Sequence, residues 1–256
     1  MTLKQLEDAT KILFLGDSHG DYSFVEKALH TAHNLSADVI IQLGDFGIWP
    51  GQSGAAFRTL VSEYSWKYDI PVFFIDGNHE DFDWLLAQPL DEDGLRPILP
   101  GLVHIPRGFR WTSSVSGETF LALGGATSVD ADRRTLGKSF WLQESITDED
   151  VEKTVSGGQA DIMLTHDCPV GTSIPGIEHR KYVSYFDHSE LERAWDHREK
   201  LREAVDVIKP KRLFHGHFHV KYEDQLVYDD GSVTEVVGLG ANISTDRLDT
   251  FILYSM

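Results

Sequence analysis

The chain has 256 residues, 41% apolar and 25% charged, with a formal net charge of -18. That length can bury a sizeable core. No apolar run approaches the ~18 residues of a membrane span, and the N-terminal MTLKQLEDATK lacks the apolar stretch of a signal peptide. The acidic balance argues against a long polyanion as partner, because phosphate-backbone binding leaves a basic footprint. A single cysteine, Cys168, excludes an internal disulfide framework and fits a reducing cytoplasm.

The first part of the chain reads as strands alternating with helices. KILFL (11–15) is a short apolar strand that ends at Gly16. DYSFVEKALHTAHNL (21–35) has helical spacing. VIIQL (39–43) ends at Gly44. GAAFRTLVSEYSWKY (54–68) reads as a helix that Pro71 bars from extending. VFFID (72–76) ends at Gly77. Wholly apolar strands between helices imply a sheet covered on both faces.

Further on, FLALGG (120–125) and DIMLTH (161–166) read as strands, and 127–146 as a long irregular segment. Residues 188–208 form a helix with Ser189 as N-cap. After RLFHGH the chain reads as a meander turning at Asp230–Gly231, with FILYS (251–255) as the final strand. Parallel units first and hairpins last predict two sheets in one domain spanning 1–256.

The strand ends carry the chemistry. ILFLGDSHGD delivers Asp17 and His19, and VIIQLGDFG delivers Asp45. VFFIDGNHE delivers Asn78 and His79, DIMLTHD delivers His166, and RLFHGHFH delivers His217 and His219. Carboxyl ends of strands are where α/β sheets bind ligands. Each piece alone has an ordinary reading: a turn, a surface loop, Asn78 as a helix cap. Five together require five coincidences. Asp17, His19, Asp45, Asn78, His166, His217 and His219 make seven candidate ligands. That exceeds one ion's needs but suits two ions sharing a bridging carboxylate. A nitrogen and oxygen set without thiolate suits Mn²⁺ first, with Fe or Zn²⁺ as alternatives. His217 and His219 can each face a different metal, while His215 packs or supports a ligand.

The series GDSHG, LGDFG, DGNHE, LTHD and HGHFH, across residues 16 to 219, resembles the calcineurin-like metallophosphoesterase superfamily. The resemblance implies an α/β fold: a two-sheet β-sandwich flanked by helices, four layers deep. It implies that Asp17, His19 and His219 hold one metal and that Asn78, His166 and His217 hold the other, with Asp45 bridging. It makes His79 the catalytic histidine, and Asp81 or Asp83 lies near enough in sequence to orient it. The match of GGATSVDADRRTLGKSFW (124–141) to small bacterial and phage members marks Asp130 and Arg134 as substrate-contact candidates, with Trp141 nearby; an ordinary loop is the other reading. The second motif lacks the arginine of serine/threonine protein phosphatases, and no tyrosine stands where purple acid phosphatases have a ligand.

The expected activity is hydrolysis of small phosphomonoesters or phosphodiesters, such as nucleotides or cyclic nucleotides. A nuclease and a silent metal-binding scaffold are the alternatives. No extended nucleic acid and no membrane is expected as a partner. Phe46, Trp49 and Trp141 are candidates to stack a base. Residues 169–190 read as a lid or an ordinary loop. Cys168 reads as a buried filler, and His30, His33, His188 and His197 as surface or helix-face residues; His104 and His179 carry no signal.

Overall fold

The computed structural model describes residues 3–177 and 186–256. Among these, twelve strands form two six-stranded sheets. The first sheet contains β1 (Lys11–Leu15), β2 (Val39–Leu43), β3 (Val72–Ile75), β4 (Arg96–Leu99), β5 (Leu102–His104) and β12 (Phe251–Ser255), in the order β12-β1-β2-β3-β5-β4. The second contains β6 (Arg110–Thr112), β7 (Thr119–Leu123), β8 (Ile162–Thr165), β9 (Arg212–His215), β10 (Tyr222–Val227) and β11 (Val233–Gly238), in the order β10-β11-β9-β8-β7-β6. Both sheets share one plan: four parallel strands with an antiparallel strand on each edge.

Three apolar clusters separate four layers. Ile12, Phe14, Ile41, Phe73, Phe120, Leu164 and Phe214 fill the space between the sheets. Leu13, Leu15, Ile40 and Phe74 point the other way and pack under α2 (Tyr22–Leu35) and α3 (Gly51–Tyr68). Leu121, Met163, Leu213 and Val236 pack under α6 (His188–Ile208). Alternate residues of β1 thus face two different cores, so its whole run is apolar.

The sandwich matches the sequence expectation; several details differ. The hairpin β10–β11 forms, but β11 then pairs parallel with β9. FILYS is β12, which returns to the first sheet and pairs antiparallel with β1. The later chain is therefore mostly parallel too. Strands β4 to β6 were not foreseen: at three or four residues, interrupted by Pro97, Pro100 and Gly101, they show no period. Helix α5 (Asp148–Ser156) was also missed. A capping box of Thr147 and Asp150 starts it, and its buried residue is Thr154, so it carries little apolar signal. The N-cap of α6 is Asp187, not Ser189; its carboxylate accepts from Ser189 N–H. The segment 127–146 is irregular as expected, with two short 3-10 turns.

Candidate metal centre

The parallel strands of both sheets end at the same place. Residues that follow β1, β2 and β3 meet residues that follow β8 and β9. Asp17 is fully buried, and its carboxylate accepts the His217 N–H at 3.0 Å and lies 3.1 Å from His219 Nε2. Asp45 is buried, and its Oδ1 accepts the N–H groups of Asn78 and His79, each at 2.8 Å. His166 Nε2 is 3.4 Å from that same Oδ1, and His19 Nε2 is 3.4 Å from Oδ2. Asn78 Oδ1 lies 3.1 Å from His166 Nε2.

Two groups of side chains can each hold a metal ion: Asp17 with His19 and His219, and Asp45 with His166 and His217. Within each group the ligand atoms lie within 4.8 Å of one another. Asn78 joins the second group through its amide oxygen, and Asp45 reaches toward both. Each donor is nitrogen or oxygen, so the set fits divalent ions of the Mn²⁺, Fe and Zn²⁺ kind.

The imidazoles are held in one orientation. His166 Nδ1 bonds the Leu43 carbonyl at 2.7 Å, which turns Nε2 toward the site. His19 Nδ1 is 3.0 Å from Asn242 Oδ1. Burial opposes charge on both rings, yet Asp45, with Asp17 behind it, raises His19 to about 9 and His166 to about 10. The field of these carboxylates draws positive charge to the point where the groups meet. Burial lowers His217 to about 4, leaving it neutral.

The backbone is strained where the candidate ligands sit. His19, Asp45, His217 and His219 have φ of 44°, 54°, 68° and 57°. The other non-glycine residues of positive φ among those described are Ser36, Asp69 and Lys209, all helix C-caps. Such conformations cost about 1–3 kcal/mol each and cluster at functional sites. Close approach also selects glycine. A Cβ on Gly216 would lie 2.1 Å from Asp17 Oδ1, and one on Gly44, itself at φ +91°, would lie 2.3 Å from His166 Nδ1.

His79 stands at the edge of this cluster, its Nε2 3.9 Å from Asp45 Oδ2 and 2.8 Å from Arg134 Nη2. A guanidinium only donates, so His79 Nε2 accepts there and its proton is on Nδ1. Asp130 pairs with Arg134 at 2.8 Å. Asp81 and Asp83 do not orient His79: Asp81 caps α4 (Phe82–Ala87), and Asp83 accepts the Trp141 indole N–H.

One hydroxyl ties these parts together. Ser128 Oγ donates to Glu144 at 2.7 Å and accepts from Asn78 Nδ2 at 3.0 Å and Arg134 Nη1 at 3.2 Å. That uses its whole capacity of one donor and two acceptor sites. It fixes the flip of the Asn78 amide, with Oδ1 toward His166. Glu80 is buried, and its carboxylate accepts the N–H groups of Phe46, Gly47 and Ile48, pinning the loop after Asp45.

A cavity of about 1030 Å³ opens at the cluster, lined by Asp45, Asn78, His79, Asp130, Arg134, His217 and His219 among others. The base-stacking candidates lie elsewhere. Phe46 is buried in the core against Phe74, with ring centroids 4.6 Å apart. Trp141 is buried on Asp83, and Trp49 donates its indole N–H to the His79 carbonyl. The suggested lid, 169–190, includes residues 178–185, which lie outside the described residues; Thr172, Ile174 and Phe186 on either side line the cavity. His179 falls in the same undescribed stretch.

The remaining histidines divide. Of the two readings for His197, the helix face holds: it is buried on α6 and bonds Asp167 at 2.8 Å, while His104 is buried between Asp76 and Arg96. His30, His33 and His188 are exposed as expected. His215 packs, bonding Tyr222 Oη at 2.7 Å, and burial lowers it to about 4. Cys168 is buried as expected, 3.1 Å from the same phenol.

A helix-flanked double sheet, with two nitrogen and oxygen ligand groups at its strand ends, is the architecture of a binuclear metallohydrolase. The family profile described as calcineurin-like phosphoesterase matches residues 10–221, and the chain belongs to that family; it is a metal-dependent phosphoesterase. The family uses a dinuclear divalent metal site. Similar solved structures include TT1561 of Thermus thermophilus, at 14% identity and a TM-score of 0.52, covering 96% of this chain and 99% of that one. A dimetal phosphatase from Danio rerio aligns at 12% identity and a TM-score of 0.53, covering 97% and 93%. At such identities the likeness is one of fold. Among curated proteins, no match was found. No helix among the described residues is long and apolar enough to cross a membrane.

Proposed function

We propose that the whole chain acts as one domain, a dinuclear hydrolase of small phosphomonoesters or phosphodiesters such as nucleotides or cyclic nucleotides, with Mn²⁺ as the working ion and the cytoplasm as its setting. The observation that carries this reading is the convergence of two groups, Asp17 with His19 and His219 and Asp45 with His166 and His217, of which Asp45, His217 and His219 line one cavity. Asp17, His19 and His219 would hold one ion and Asn78, His166 and His217 the other, with Asp45 shared between them. When bound, two such ions would offset the ester's negative charge and activate a water near neutral pH.

Arg134 takes a phosphate oxygen, and Asp130 keeps its guanidinium at the cavity edge. Arg134 donates to His79 Nε2. A phosphate oxygen competes for the same N–H, so substrate entry frees Nε2. The freed Nε2 can then take up a proton from solvent, and the protonated ring stands beside the phosphate to stabilise the transition state or protonate the leaving oxygen. The net charge of -18 opposes an extended nucleic acid as substrate.

The test is hydrolysis of a bis-aryl phosphodiester and an aryl phosphomonoester after chelation, then with Mn²⁺, Zn²⁺ or Mg²⁺ restored, beside Asp45→Ala. The expected result is turnover restored by metal and abolished in the variant, with the diester-to-monoester ratio choosing the substrate class. Failure of the protein to bind metal at all would sink the assignment.

A further inference from the structure

We propose that the apolar part of the cavity lining is a subsite for a planar aromatic group on the ester, a nucleobase or another aryl ring, held chiefly by Trp195 and Phe218. The proposal rests on the phosphoesterase reading above and specifies the organic part of the substrate. A phosphate group needs only a corner of about 1030 Å³; that volume matches sites for whole organic ligands.

Helix α6 gives the first argument. Leu201, Ala204, Val205 and Ile208 form its buried stripe against the second sheet. Toward the N-terminus the same side continues as Leu191, Ala194, Trp195 and Arg198, at i, i+3, i+4 and i+7, and these residues line the cavity instead. An apolar stripe on a strongly acidic chain thus runs past the core it covers and borders the site.

Arg198 and Phe218 give the second. Arg198 is buried, and its guanidinium is fixed by the carbonyls of Cys168, at 2.8 Å, and Pro169, at 3.4 Å. From there it lies 5.5 Å from the Trp195 ring centre and 5.4 Å from that of Phe218. One anchored cation thus braces both rings. Phe218 sits in sequence between His217 and His219, with its ring centre 4.8 Å from that of His217. The aromatic lining therefore starts beside the ligand groups, within reach of the organic part of a phosphate ester. Rigid rings on both an α-helix and the loop after β9 suit a flat partner, because stacking tolerates any ring that offers a π face.

Phenylphosphonate and ethylphosphonate, which keep the anionic head and differ in the organic group, are titrated into Mn²⁺-loaded protein. Wild type, Trp195→Ala and Trp195→Phe are compared. The expected result is a loss of about tenfold in phenylphosphonate affinity in Trp195→Ala, no change for ethylphosphonate, and recovery in Trp195→Phe. Equal losses for both ligands would mark Trp195 as merely structural and overturn the proposal, as would no loss for either. Failure of both phosphonates to bind the metal-loaded wild type would instead overturn the phosphoesterase reading itself.

Discussion

The two sheets contribute differently to the site. The first brings both carboxylates, Asp17 and Asp45, together with Asn78, His19 and His79. The candidate ligands of the second are imidazoles: His166, His217 and His219, with Asp167 buried behind them. Yet each side is held by the other. His166 Nδ1 bonds the last residue of β2, and the His217 N–H bonds Asp17. The candidate ligand carboxylates thus belong to one sheet, while the geometry of the site belongs to the pair. Losing a first-sheet carboxylate should collapse the whole centre, and losing a second-sheet imidazole should weaken half of it.

Metal content breaks or sharpens that contrast most strongly. Asp45→Ala is expected to lose both ions and more than about 100-fold in activity, beyond the usual cost of removing a supporting residue. His217→Ala is expected to lose one ion of two. Elemental analysis of the dialysed proteins decides it; equal loss in the two variants would show that the two sheets do not differ as described.

A smaller effect is expected at Ser128, which supports the first-sheet side from outside the ligand set. Ser128→Ala frees the Asn78 amide and Arg134 together, so metal affinity and activity should each fall by about 10–100-fold, with the fold unchanged by circular dichroism. A loss of activity with metal affinity intact would confine its role to Arg134.

The smallest effect concerns stability. Burial pushes the Glu144 carboxyl up to about 7 from its ordinary 4.5. The folded chain keeps that proton where the unfolded chain has released it, so stability falls as pH rises from about 4.5 to 7. Glu144→Gln removes this contribution. Urea unfolding across that range should show a flatter pH dependence in the variant; identical slopes would contradict the shift.

Much of this was legible in the sequence. Apolar strands ending at Gly-Asp, Gly-Asn-His and Gly-His-x-His pointed to the candidate ligands that the fold brings together, because one strand tip puts its own residues into the site. What escaped lies where tertiary contact decides. Asn242 orients His19 from 223 positions away, and no local pattern marks it. Ser128 matters through three partners that only folding assembles. Phe46 and Trp141 looked like loop aromatics but are packed inward, since a residue beside a strand end can turn either way. Trp195 and Phe218 sit in stretches whose helix and motif signals hid their place in the cavity lining.

The return of β12 to the edge of β1 has a consequence for how the protein comes to life. Gly16 N–H is bonded by the Thr250 carbonyl and Asn242 N–H bonds the Asp17 carbonyl, so the tip of the first strand is completed by residues made far later. Contacts of such long span close late. A chain still leaving the ribosome carries Asp17 and Asp45 before residues 242–250 are made, so the tip of β1 cannot be completed until that distant segment follows.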